Sequence, residues 1–378
     1  RHTAPLTELV VSGNAMPAKS MLELVRTFKA GVHANQVFAA AACSLGDEHV
    51  VHLGKRLYNN ASTLTALDLS GNKITDFGLE KGILVNMGRN TGLRSLAFSR
   101  NNVTSKGVRA LLALVEEKRT LTSILLSNCH ISAKECGVFS ARLSINSVQV
   151  LALAGNSLGK GVATFAPHLT KASGLTELDL SDVSLEKHGI AALVETLPTV
   201  RNLRTLSLAD NGISTKDGVP LVGAIGASRS LVTVDLSGNS FKKDFAEALG
   251  SALAASTSLR SLSLASNKLG GEGAAAIGRA LAANGLALTD LSLAGNKIGS
   301  GVDALAEGLT SNSTLISLSL ANNSISGDHF MEVVTALEAN TGLRHVDMTG
   351  NQRFTPAQID TIIEPRDISC EIYVSFAS

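Results

Sequence analysis

Seven carboxylates in this 378-residue sequence fall at fixed distances ahead of a recurring asparagine. Glu8, Asp68, Glu177, Asp179, Asp235, Asp290 and Asp347 stand four or six places before that Asn or the residue that replaces it. Neither place ever holds Lys or Arg. Acidic groups repeated at a fixed pitch without an intervening cation can attract and orient a basic protein segment. The other residues in these two columns are short, mostly Ser, Ala, Thr and Val. They include no Arg and no aromatic ring of the kind that anchors protein interfaces. Two readings therefore stand: a shallow, mildly acidic groove for a basic segment, or small solvated fillers between neighbouring strands.

Other chemistry leaves little trace. The nine histidines are dispersed; His49 and His52 are three apart, but no third ligand accompanies them, so no metal is expected. His130 beside Cys129 reads as a repeat position with Cys in place of Asn. No G-x-x-x-x-G-K-[ST] loop is present, and the SGNS and AGNS stretches lack the strand–turn–helix context of a nucleophile elbow. No cofactor and no catalysis are expected. Lys and Arg total 33 against 32 Asp and Glu, a balance that disfavours nucleic acid as a main partner. Cys43, Cys129, Cys136 and Cys370 form no C-x-x-C pair and read as reduced thiols of a cytoplasmic protein. The longest uncharged run, 308–327, is interrupted by Ser, Asn and Thr and does not read as a membrane span. The triplets at Asn60, Asn102 and Asn312 match a glycosylation acceptor but are short enough to arise by chance.

The frame that positions the carboxylates is an internal repeat. Its anchor falls at Asn14, Cys43, Asn72, Asn101, Cys129, Asn156, Val183, Asn211, Asn239, Asn267, Asn296, Asn323 and Asn351, thirteen copies spaced by 27 to 29 residues. In LRSLSLASN the alternation Leu262, Ser263, Leu264 predicts a short strand with one buried face. The anchor amide then satisfies backbone groups in the turn that follows. Cys43 and Cys129 can substitute as weak S–H donors. Val183 cannot, so the seventh column should be locally weaker. In GGEGAAAIGRALAANG the residues Ala274, Ile277 and Leu281 keep helical spacing, with Asn284 and Gly285 as the stop. DFGLEKGILVNMGRNTG and SKGVRALLALVEEKRT read the same way.

This is the spelling of leucine-rich repeats. The fold class is α/β, a leucine-rich repeat solenoid (horseshoe) with a parallel sheet on the concave face and helices on the convex face. The array is expected over 1–351. A C-terminal cap over 352–378 begins a helix at Thr355-Pro356, ends it at Glu364-Pro365 and adds a strand at CEIYV. The chain opens at Arg1 inside a repeat with no polar cap, so a longer protein is expected upstream. Arg94, Arg204, Arg260 and Arg344, seven places before the anchor, read as snorkelling surface arginines or a broken basic line. The pairs Lys55-Arg56, Lys118-Arg119 and Lys242-Lys243 read as solvated faces.

The long helical period resembles the intracellular, ribonuclease-inhibitor-like class. LALAGNSLGKGVATFAPHLTKASGLTELDLSDVSLEKHGIAALVETL and LVTVDLSGNSFKKDFAEALGSAL resemble the repeat region of the CARMIL family. That resemblance implies a scaffold in actin-cytoskeleton regulation with a cytoskeletal protein as partner, whereas the basic segment is what the carboxylate columns suggest. The fold also resembles the GTPase-activating protein of Ran, whose catalytic Arg lies on a strand four places before the Asn. Here that column contains no Arg; the nearest candidate is Arg100. A ligand-sensing repeat domain of an intracellular receptor is the remaining alternative.

Overall fold

The computed structural model describes residues 7–14, 17, 19–20, 23, 36–59, 64–88, 90–137, 148–283, 286–353, 355, 359, 368 and 370–375. They fall into two compact units, Arg1–Gly189 and Ile190–Ser378. Each unit is an α/β leucine-rich repeat array. In the first, β1 (Glu8–Val10), β2 (Val37–Ala39), β3 (Ala66–Asp68), β4 (Ser95–Ala97), β5 (Ser123–Leu125), β6 (Val150–Ala152) and β7 (Glu177–Asp179) pair in parallel, in chain order. The second repeats the arrangement with β8 (Thr205–Ser207), β9 (Thr233–Asp235), β10 (Ser261–Ser263), β11 (Asp290–Ser292), β12 (Ser317–Ser319), β13 (His345–Asp347) and β14 (Glu371–Tyr373).

Every strand has three residues, and the middle one turns to the core. Leu67, Leu178, Leu262 and Leu318 are buried, while most of their strand neighbours remain half-exposed or exposed. The helices pack on the other side of these leucines. Ala274, Ile277 and Leu281 of helix Gly270–Leu281 are wholly buried, as their spacing requires. The expected stop at Asn284 and Gly285 lies outside the described residues. Helix Ser105–Glu117 is capped by Thr104, whose hydroxyl accepts the Lys106 N–H at 3.3 Å. The stretch from Asp76 departs from the regular helix expected, because Leu79–Leu84 is π-wound between Asp76–Gly78 and Val85–Met87. Asn86 Nδ2 donates to Lys81 O (3.2 Å) and Gly82 O (2.8 Å) across that wide turn. Glycines let neighbouring helices meet backbone to backbone; a Cβ on Gly308 would sit 2.0 Å from Gly278 O.

The anchor residues form the expected column. Asn72 Nδ2 donates to Ala40 O and Leu69 O (both 2.9 Å), and its Oδ1 accepts from Cys43 N (3.1 Å) and Leu45 N (2.9 Å). One amide thereby satisfies backbone groups of two repeats. Cys43 Sγ donates to Val11 O at 3.2 Å and Cys129 Sγ to Phe98 O at 3.3 Å, the same places an Asn would reach. At the seventh anchor Val183 is wholly buried. The Leu158 N–H, deprived of an amide acceptor there, bonds Asn156 O at 2.9 Å.

After Asn351 the chain adds β14, which pairs parallel with β13 and realises the strand read from CEIYV. Ile359 N–H reaches Thr355 O at 3.1 Å, a helical bond at the expected start. Pro356, Glu364 and Pro365 lie outside the described residues.

Candidate functional site

The sheet face turned away from the helices carries all seven candidate carboxylates. On the first unit Glu8 lies on β1, Asp68 on β3, and Glu177 and Asp179 on β7. On the second, Asp235, Asp290 and Asp347 lie on β9, β11 and β13. Strands stand about 4.8 Å apart, so these last three recur at about twice that pitch. Only Glu177 and Asp179 share a strand.

The aspartates four places before the anchor do a second job. Each accepts the backbone N–H of the residue two places on, Asp68 from Ser70 (2.9 Å), Asp179 from Ser181 (2.9 Å), Asp235 from Ser237 (2.9 Å) and Asp347 from Thr349 (3.0 Å). The hydroxyls of Ser181 (2.6 Å) and Thr349 (2.7 Å) donate to the same oxygen, as does that of Ser237. These clips hold the turn leaving the strand. Ser319 Oγ also donates across strands to Asp347 Oδ2 at 3.1 Å. Glu8, Glu177 and Asp290, six places before the anchor, take no part in the clips and are exposed. Asp290 instead accepts the Thr289 hydroxyl at 2.6 Å.

Repeat counting missed the residues that β14 adds. Glu371 lies in register with His345, and Tyr373 with Asp347. The Tyr373 hydroxyl donates to Glu371 Oε2 at 2.7 Å, and His345 Nδ1 lies 3.1 Å from the same oxygen. The tyrosine bond and then the histidine hold the Glu371 carboxyl below its ordinary pKa, while the same carboxylate raises that of Tyr373. Half-exposed Tyr373 gives this face an aromatic ring, which the repeat columns lack.

Other residues resolve into structural duties. The guanidinium of Arg260 donates to Thr257 O (3.2 Å) and that of Arg344 to Thr341 O (3.2 Å), fastening the loop before each strand. Lys118 corrects the expectation of a solvated pair: it is 5% exposed and donates to Gly88 O at 2.7 Å and Glu117 at 2.9 Å. It stands eleven places before an anchor, where Asn90, Asn312 and Asn340 are also buried. Asn312 Nδ2 bonds Leu281 O at 2.9 Å and its Oδ1 accepts from Thr314 N and Leu315 N. This amide is therefore engaged at both ends. His49 accepts the Gly46 N–H (3.1 Å) and His52 Nδ1 lies 2.8 Å from Glu48 O, so both serve their own helix. Among the described residues no three His, Cys, Asp or Glu gather as a metal site, and no helix is long and apolar enough to cross a membrane. Arg100 is exposed on the turn after β4, with φ 56°, off the strand face.

Comparison with known proteins agrees with this architecture. A family described as Leucine Rich repeat matches residues 60–81, 89–112, 201–222 and 255–278. No curated protein sequence matches significantly. Among solved structures, the Rad7 and Elc1 complex in yeast is similar at 14% identity and TM-score 0.53, covering 96% of this chain and 84% of that one. The TLR13–ssRNA13 complex is similar at 17% and 0.51, with 98% of this chain and 49% of that one covered. Leiomodin-1 actin-binding site 2 matches at 23% identity with TM-score 0.32, over 40% of this chain and 86% of that one. The chain thus carries leucine-rich repeats, and arrays of such repeats present extended surfaces for partners.

Proposed function

We propose that this chain is a non-catalytic scaffold that binds a basic segment of a protein partner on the open face of its sheet. The observation that carries the reading is the set of exposed carboxylates free of the strand-end clips, Glu8 and Glu177 on the first unit and Asp290 on the second. No lysine or arginine interrupts either column on the strands. The candidate binding residues are Glu8, Asp68, Glu177 and Asp179 on the first unit and, separately, Asp235, Asp290 and Asp347 on the second. Residues 352–378 are assigned to capping, and 1–351 to the binding array. The likeness of two stretches to the CARMIL repeat region supports a cytoplasmic place in actin-cytoskeleton regulation.

The test is binding of a fluorescent Lys/Arg-rich peptide to the wild type and to Glu177→Lys with Asp290→Lys. These positions leave the clips intact, so circular dichroism should be unchanged. Affinity should fall at least tenfold in the double variant. Equal affinity would reduce the face to filler.

A further inference from the structure

The turns leaving β8, β9 and β10 in the second unit enclose an open trough of about 920 Å³. Lys216, Lys242, Lys243 and Lys268 line it, beside the hydroxyls of Ser214, Thr215 and Ser240 and one carboxylate, Asp244. All four lysines are exposed. Lys243 pairs with Glu272 at 3.1 Å, and Lys268 Nζ donates to Ser240 Oγ at 3.3 Å. Lys216 and Lys242 form no ion pair with any described residue. Lys216, Lys242 and Lys268 thus line the trough without an ion-pair partner among the described residues.

The fold does not ask for this arrangement. Lys242 is the N-cap of helix Lys243–Ala255 and offers no side-chain capping bond. Ser, Thr, Asp and Asn are the residues that stabilise that place, and cations at the positive end of a helix dipole are unfavourable. The preceding helix, Thr215–Ala227, has the favourable choice, with Ser214 Oγ accepting the Asp217 N–H at 3.2 Å. Asp244 in the first turn of that helix offsets part of this mismatch, and an anion lying across Lys242 would offset more.

We propose that the trough holds an acidic segment of a protein partner. Its cations are spread over three consecutive repeats, a strip suited to an extended chain bearing several carboxylates. They are flexible lysines, point charges without the planar fork that selects a single phosphate or carboxylate bidentately. The lining contains no aromatic ring on which a nucleic-acid base could stack, and Val219 is its one large apolar side chain, too little to anchor in a bilayer. This site uses the edge of the array and does not rest on the open-face reading.

The test uses the full chain and a fluorescent twelve-residue peptide of alternating Glu and Asp, read by anisotropy at two salt concentrations. Lys216→Glu, Lys242→Glu and Lys268→Glu are combined in one variant. A control combines Lys160→Glu, Lys171→Glu and Lys187→Glu, exposed lysines outside the trough with the same total charge change. Binding should weaken at least tenfold in the trough variant and less than twofold in the control. Thermal stability should not fall, because Glu at position 242 suits the helix dipole. Equal weakening in both variants, or no peptide binding by the wild type, overturns the proposal. So does lysine-dependent binding of a twelve-nucleotide single strand or of phosphatidylserine vesicles when the peptide is not bound.

Discussion

Asp347 Oδ1 accepts both the backbone N–H of Thr349 at 3.0 Å and its hydroxyl at 2.7 Å. The same clip joins Asp179 to Ser181 and Asp235 to Ser237. A residue that carries a charge on the open sheet face thus also fastens its own strand end. In the sequence the two roles are written together, since every Asp four places before an anchor is followed by Ser or Thr two residues later. Where another residue stands four places before the anchor, Ala often follows instead, as in Ser263 and Ala265.

Asp347→Ala should therefore cost about 1.5–3 kcal/mol, the range for a hydrogen bond to a charged group. Asp347→Asn keeps an acceptor of the same shape and should recover more than half of that loss. Urea denaturation of the three proteins measures it. An Asn variant as unstable as the Ala variant would mean that charge across strands, not the clip, is what Asp347 supplies.

Lys118 offers a test of the second polar column. It performs with an ammonium what Asn90, Asn312 and Asn340 perform with an amide, donating to a carbonyl of the preceding repeat. Lys118→Ala leaves Gly88 O without its donor and should lower stability by about 1–3 kcal/mol. Lys118→Asn should restore most of it, as read by urea denaturation. If Asn is no better than Ala, the buried stem of Lys118 contributes by packing and the carbonyl finds another donor.

The anchor column was legible because few side chains can donate and accept inside a buried turn. Asn, and in part Cys, recur where that chemistry is required. The second column was hidden because Asn90, Lys118, Ser228 and Ser256 are chemically unlike one another, while Ala172 and Val200 occupy the same offset without a polar group. The π-wound turn at Leu79–Leu84 leaves the apolar pattern of a helix nearly intact, so periodicity does not reveal it. Tyr373 escaped because it lies beyond the last anchor, and only strand pairing brings it opposite Asp347. The lysine trough was hidden for a similar reason: its residues belong to three repeats at different offsets and meet only when those repeats pair.

The buried thiols give the molecule a pH dependence with a definite direction. Burial pushes Cys129 up to about 11 and Cys136 up to about 12, against the weaker opposing pull of backbone hydrogen bonds on Cys129. In the unfolded chain both ionise at about 8.5. Below that pH both states keep their protons and the thiols contribute fully. Above it the unfolded chain releases protons that the folded chain retains, so stability falls as pH rises toward the folded values. Melting temperature should therefore drop more steeply between pH 8.5 and 10 in the wild type than in Cys129→Asn with Cys136→Ala. Asn is chosen at position 129 because it meets the anchor's hydrogen bonds directly. Both thiols should also resist a thiol reagent at pH 8 until denaturant is added, since the reactive thiolate is scarce in the fold. Parallel slopes in the two proteins would assign the alkaline loss to other groups.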